Sequence, residues 1–501
     1  MKIKFNKYTT LACLTFGLAA ASCTKSFEDV NTDPDAFTEV PTTNILANVL
    51  RNTGQSFGGD VAGYGTFAGY IVKIQYLDYL GDLIPTNNTY GNRWAACYYN
   101  NTQLDILLET TEEKADLYKN VRFVARIWQN YMWSYLTEGW RDVPYSQALQ
   151  GREEDGSVLK AQYDKQEDIY PALLQSLKTI ADEMADGLGT DDLGDGDFIY
   201  HRNGMDPIDE VKNWQKFCNS LRLRLAMRIS AVAPDLAKST IEEIAGDPTK
   251  YPVLETNEEN CYLTYPGGAP YYEPWNNDGY VGKRIDNYGM SDIFIDHLIE
   301  MEDPRIAKVA NKASDGTYRG FQNGAEASPS PLTTISFIGD KYMKDPAGFT
   351  PFYKSAETFY IYAEAAMLGY NVGMTAKDAY EKAVRLSMED NQIASAAVDA
   401  YLAGKGKWNN TKERIWWDMW VALFKENFEA WSLYRRTGIP STNYPSLNSV
   451  FGDAHNDQPF RLPYPNNEFL YNTENVNQAN SNVKDYAWGE QMWWDQRSDV
   501  F

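Results

Sequence analysis

A chain of 501 residues, 43% hydrophobic and 23% charged, has ample apolar content for a packed core and is not a disordered polymer. Its formal charge of -23 repels nucleic acid, whose binding rests on basic neutralisation of phosphates, and disfavours an anionic membrane surface. Length suggests about two to four domains, although a helical array this long can form one body because each hairpin needs only its neighbours.

The first residues, MKIKFNKYTTLACLTFGLAAASC, combine a basic start with an apolar run from about Leu11 to Ala21. They read as a secretory signal, residues 1–22, too short for a spanning helix. Its removal takes away Lys2, Lys4 and Lys7 and no acid, so the processed chain is more negative still. The small residues before Cys23 resemble the lipobox of bacterial lipoproteins, with Ala20 where Leu is commoner. Cys23 would then carry acyl chains, which hold a protein to a membrane by about 0.8 kcal/mol per buried methylene. The alternative is ordinary cleavage nearby, leaving Cys23 a free thiol. Cys97, Cys218 and Cys261 are widely spaced, odd in number and without CxxC spacing, which predicts buried free thiols rather than disulfides or a zinc site.

Residues 23–43 are polar with two Pro-containing turns and read as a tether. A single helical body is expected over 44–501. The Gly-, Tyr- and Trp-rich run at 61–108 ends as an amphipathic helix. Val121, Val124, Trp128, Tyr131 and Tyr135 then repeat at helical spacing. Asp164 and Glu167 suggest an N-cap and N3 pair, ahead of a stripe of Ile169, Leu173, Leu177, Ile180 and Met184. Beyond the acidic loop GTDDLGDGDFI, Trp214, Cys218, Leu221, Leu225 and Ile229 mark another helix, with Pro234 after its end. Residues 251–350 are dominated by Pro, Gly, Tyr and Asn, with one short helical pattern near Ser291–Met301. So long a stretch of low periodicity is more often functional surface than accident.

Core helices are expected over 355–440. AETFYIYAEAAMLGY and AKDAYEKAVRLSM form a helical hairpin, in which Ala376, Tyr380 and Ala383 take the spacing of a tetratricopeptide second helix. The stretch Thr411 to Pro440 is apolar around more than one face, from Ile415 through Trp416, Trp417, Trp420 and Trp431 to Tyr434. This predicts one deeply buried helix, with Lys425 and Glu426 in a break of its apolar surface, Arg435 and Arg436 at its last turn and Gly438 as its stop.

The blocks GWRDVPYSQAL, YDKQEDIYPALL, WQKFCNSLRLRLAMRIS, FYIYAEAAMLGY with YEKAVRLSM, EAWSLYRRTGIP and RLPYPNNE resemble, in order, those of the SusD/RagB-like family, in its SusD-like 2 branch. These are nutrient-binding outer-membrane lipoproteins of Bacteroidetes-type bacteria. The resemblance implies a mostly all-α fold of tetratricopeptide-type hairpins with a large loop-rich insertion. It also implies a lid, exposed at the cell surface, on a SusC-like TonB-dependent transporter, capturing oligosaccharides or, in some members, peptides. No catalytic residue and no cofactor come with it.

Two aromatic clusters are the binding candidates: Trp94, Tyr98 and Asn101, and Tyr271, Tyr272, Trp275, Asn276 and Tyr288. Sugars offer flat CH-rich faces that stack on Trp or Tyr, and hydroxyls that pair with amides and carboxylates. The same rings could equally fill the core, since large aromatics are mostly buried. Asp191, Asp192, Asp195 and Asp197 supply oxygen ligands that calcium favours, but the loop lacks the glycine and glutamate of a helix-loop-helix site, and a solvated acidic loop is the simpler expectation. His201, His297 and His455 are far apart and form no catalytic or metal spacing. Arg435 and Arg436 could meet an anionic ligand or, at the end of a buried helix, the framework itself.

Overall fold

The structure is a computed structural model and describes residues 41–498 apart from 59, 60, 62, 76–84, 153–157, 202–204, 324, 326 and 442–457. The signal segment, Cys23, most of the tether and His455 lie outside the described residues.

Apolar periodicity sets the main elements. Helix α1 (Thr42–Gly58) is followed by α2 (Asn87–Thr110), α3 (Lys119–Trp140), α4 (Gln166–Asp186), α5 (Pro207–Arg228) and α6 (Pro234–Gly246). Each packs on the next in sequence, burying its apolar stripe against its neighbour. The predicted stripe of α4 is buried throughout, and so is that of α5. One local expectation is corrected. The residue flanking α4 is Lys165, not Asp164; Asp164 instead accepts the backbone N–H groups of Tyr145 and Ser146 at 2.9 and 2.8 Å, closing the turn after α3. Pro234 follows the end of α5, as expected, and also opens α6 at its first turn, where its missing N–H costs nothing.

Four short strands brace the loop-rich region. Strand β1 (Ile71–Lys73) pairs antiparallel with β3 (Tyr288–Met290), and β2 (Cys261–Thr264) with β4 (Phe349–Tyr353). The second ladder sets Thr264 opposite Phe349, so the chain leaves and re-enters the body at adjacent points. Between them lies α7 (Asp292–Glu300), whose N-cap Ser291 accepts the Phe294 N–H at 3.2 Å.

The C-terminal half holds the predicted hairpin, α8 (Ser355–Met367) against α9 (Ala376–Asp390), then α10 (Ser395–Ala403), α11 (Lys412–Ala422), α12 (Asn427–Thr437) and α13 (Thr473–Asn480). The single long helix expected from Thr411 to Pro440 is in fact two. The chain breaks at Leu423–Glu426, with Lys425 at a φ of 77°. Lys425 and Glu426 do not reach water there. Lys425 Nζ sits 3.0 Å from Glu273, both side chains buried, and over the rings of Trp275 and Phe349. Lys354 Nζ donates to the carbonyls of Ala422 and Phe424 at 2.8 and 2.7 Å, the orphan acceptors that a helix end leaves behind. The expected stop holds: Gly438 is left-handed, φ 76°, and its N–H meets the Tyr434 carbonyl.

Buried ion pairs tie α5 to the C-terminal helices. Arg224 grips Glu357 of α8 through two bonds of 2.7 and 2.6 Å, and Arg228 meets Glu429 of α12 at 2.5 Å. Arg436 is likewise bidentate to Glu364 of α8, and Arg435 donates to the Glu138 and Phe460 carbonyls. The two arginines therefore serve the framework. One apolar cluster runs from Leu46 to Trp494 and takes in Cys97, Cys218 and Cys261, which are free and buried. Among the described residues no helix is long and apolar enough to cross a membrane.

Candidate binding clefts

On α2, Trp94, Tyr98 and Asn101 fall at i, i+4 and i+7 and so share one face. That face turns inward. Trp94 is 5% exposed, its ring met by Trp140, Tyr163 and Tyr464. Asn101 is buried outright, and its side-chain amide finds no hydrogen-bond partner among the described residues. Tyr98 alone of the three is half-buried. Its hydroxyl donates to the Pro144 carbonyl at 2.8 Å. Burial, then the Glu468 carboxylate, raises the Tyr98 pKa far above the phenol range, so the hydroxyl stays a donor at physiological pH.

Tyr98 forms a wall of an open cleft of about 380 Å³. Thr102, Gln147, Glu468 and Asn472 line it, and Tyr471 stands at its edge, 74% exposed. The polar groups are fixed from behind: Tyr163 donates to Glu468 at 2.6 Å, and Asn472 Nδ2 donates to the Ala161 carbonyl at 2.8 Å. A ring free to stack, amide and carboxylate groups held in place, and an open mouth are what a sugar or a short polar oligomer needs. Gln147, Glu468, Tyr471 and Asn472 were not among the residues expected from sequence. Glu468 closes the RLPYPNNE block and Tyr471 and Asn472 follow it, in a run reading EFLYN that exposes apolar side chains at Leu470 and Tyr471.

The second predicted cluster divides. Trp275 is 1% exposed, pressed against Phe424 and Tyr342 beneath Lys425, and Asn276 is buried with Nδ2 donating to the Met343 carbonyl. Beside Trp275 is a space of only about 40 Å³, room for a water or so rather than a sugar. With Trp94 and Asn101, these residues present no free face to a ligand in this conformation; the apolar demand of the core has claimed them. Tyr271 is 41% exposed and lies under the Arg51 guanidinium of α1. Tyr272 and Tyr288 are half-buried. Tyr288 donates to Asp278 at 3.0 Å, and Asp278 also pairs with Arg284. Helix α1 bridges the two regions, since Asn52, next to Arg51, donates to Asn100 of α2 at 2.8 Å.

Three carboxylates of the acidic loop are engaged by backbone N–H groups. Asp191 accepts the N–H groups of Asn120 and Val121 at the start of α3, at 2.8 and 3.0 Å. Asp197, buried, accepts those of Ile199 and Tyr200 and the Trp214 indole N–H; burial nevertheless raises its pKa above the usual carboxylate value. Asp192 accepts the Gly194 N–H, and Asp195 lies 3.5 Å from His201. Among the described residues no three His, Cys, Asp or Glu side chains are placed to hold one metal ion.

No protein with a curated description matches the chain. Solved structures do, each at low identity. A chitin-binding SusD homologue from Flavobacterium johnsoniae superposes with a TM-score of 0.76 at 21% identity, over 92% of this chain and 100% of its own. A SusD homologue from Bacteroides uniformis gives 0.75 at 24%, and a SusD-like protein from Bacteroides thetaiotaomicron 0.76 at 22%, each with the same coverage. These likenesses establish the fold, a mostly helical SusD-like array. The model of the family described as "Starch-binding associating with outer membrane" matches residues 34–465, and the chain therefore belongs to the SusD-like 2 family.

Proposed function

We propose that this protein is a lipid-anchored binding protein at the outer face of the outer membrane, which captures oligosaccharides and presents them to a SusC-like TonB-dependent transporter. The observation that carries the reading is the cleft at Tyr98, with Tyr471 free to stack and Glu468, Gln147 and Asn472 positioned for hydroxyls. Family membership supports the setting, and the chitin-binding relative supports the ligand class. Cys23 is the lipidated residue in this reading. The role is binding rather than catalysis, so a captured oligomer is released intact.

Isothermal titration against chitin-, starch- and other glycan-derived oligosaccharides tests the ligand. We expect saturable heat with at least one class and a loss of up to tenfold in affinity for Tyr471→Ala, as an aromatic contact of about 0.5–1.5 kcal/mol gives. Heat only with short peptides would replace sugar by peptide; heat with neither, or an unchanged Tyr471→Ala, would remove the cleft from the account. Palmitate labelling that survives Cys23→Ala would overturn the anchor.

A further inference from the structure

Away from the Tyr98 cleft, α7 and the start of α11 enclose a larger one of about 460 Å³. Its inner wall is aromatic. The His297 ring lies flat on Trp417, centroids 4.4 Å apart and 17° from parallel, and Trp417 meets Trp420 edge-on. Around this shelf stand the carboxyl groups of Asp296, Glu300 and Glu413, all exposed. None of the three makes an ion pair among the described residues. The one arginine of the lining, Arg414, already faces Asp418 at 3.7 Å. Burial lowers the His297 pKa below the ordinary histidine value, so the ring adds no charge at neutral pH. Its nitrogens and the Trp417 N–H likewise lack a protein partner among the described residues.

We propose that this cleft is a second ligand site, one that takes an organic cation: a protonated amine or guanidinium on a small molecule or short oligomer. A cation gains from a π face and from carboxylates that no ion pair engages among the described residues. The volume lies in the range of small-ligand pockets. The carboxylates are too dispersed for a metal ion. A glucosamine oligomer and an arginine-rich peptide both carry the required group; a neutral sugar does not. The inference stands whether or not the Tyr98 cleft binds sugar.

The test is titration of the mature chain with a glucosamine tetramer, its N-acetylated counterpart, tri-arginine and tri-glutamate. Three proteins are compared: wild type, the combined Asp296→Asn, Glu300→Gln, Glu413→Gln variant, and a control with Asp195→Asn, Asp209→Asn and Glu258→Gln. At least one cationic probe should bind with one-to-one stoichiometry and at least tenfold tighter than its uncharged or acidic counterpart. The cleft variant should lose that binding tenfold or more while the control and Tyr471→Ala keep it. Which cationic probe binds tells amino sugar from peptide. Equal losses in the cleft variant and the control would mean diffuse attraction to an acidic surface and overturn the site, as would no binding or binding the cleft variant retains. Loss on Tyr471→Ala would move the ligand to the other cleft. The substituted side chains are all exposed, so equal melting temperatures should accompany the comparison.

Discussion

Lys425 and Glu426 show what a charge costs when the chain bends around it. Both are buried, and Lys425 neutralises Glu273. Lys425→Met strands that carboxylate and should remove about 3–5 kcal/mol of stability, measured by urea unfolding; adding Glu273→Gln should restore most of it. At Glu426 the linkage is to pH. Burial pushes its carboxyl up to about 7, with Lys354 and Arg224 opposing. A carboxyl whose folded pKa is raised contributes stability below its unfolded value, near 4.5, and that contribution is lost as pH rises through 7. The wild type should therefore lose roughly 1–2 kcal/mol more than Glu426→Gln between pH 6 and pH 8 in paired denaturant melts. At this scale sequence says least about ligand contact. Trp94 and Tyr98 share a face by spacing, yet only packing against Trp140 and Tyr464 decides that one ring is sealed and the other opens on a cleft.

Helices with a clean apolar stripe were legible from spacing alone, as α3, α4, α8 and α9 illustrate. The break between α11 and α12 was not, because Lys and Glu are good helix formers and nothing local forbids continuing through them. A partner far along the chain, Glu273 in the loop-rich insertion, holds Lys425 in its left-handed conformation. The opposite case is Gly438, where the stop was readable because few side chains tolerate its φ of 76°. A Cβ there would meet nothing closer than 3.8 Å, so Gly438→Ala should cost about 1–2 kcal/mol from backbone strain alone, read as a lowered urea midpoint. In the acidic loop, Asp191→Ala should cost about 1–2 kcal/mol by exposing the first N–H groups of α3, while Asp195→Ala should stay within about 0.5 kcal/mol. Equal effects would mean that the loop is not an α3 cap.

Across the whole molecule, the order of the sequence blocks carried the fold, because the blocks fall on the core helices and on the turns and tail packed against them. The clefts were not carried by any single block. They form where the tail returns to α2 and where α7 meets α11, contacts between segments more than a hundred residues apart that no local pattern encodes. Cooperative burial has a chemical readout: Cys97, Cys218 and Cys261 should resist a thiol reagent in the native state and react together in denaturant, burial having raised the pKa of Cys218 to about 12. Reaction of one thiol ahead of the others would reveal a part that opens alone. The pairing of Thr264 with Phe349 has a wider meaning. Because both ends of the insertion are stapled at one doorway, its outer loops can change length without prising the two ends apart, whereas Glu273 and Trp275 stay bound to the break between α11 and α12.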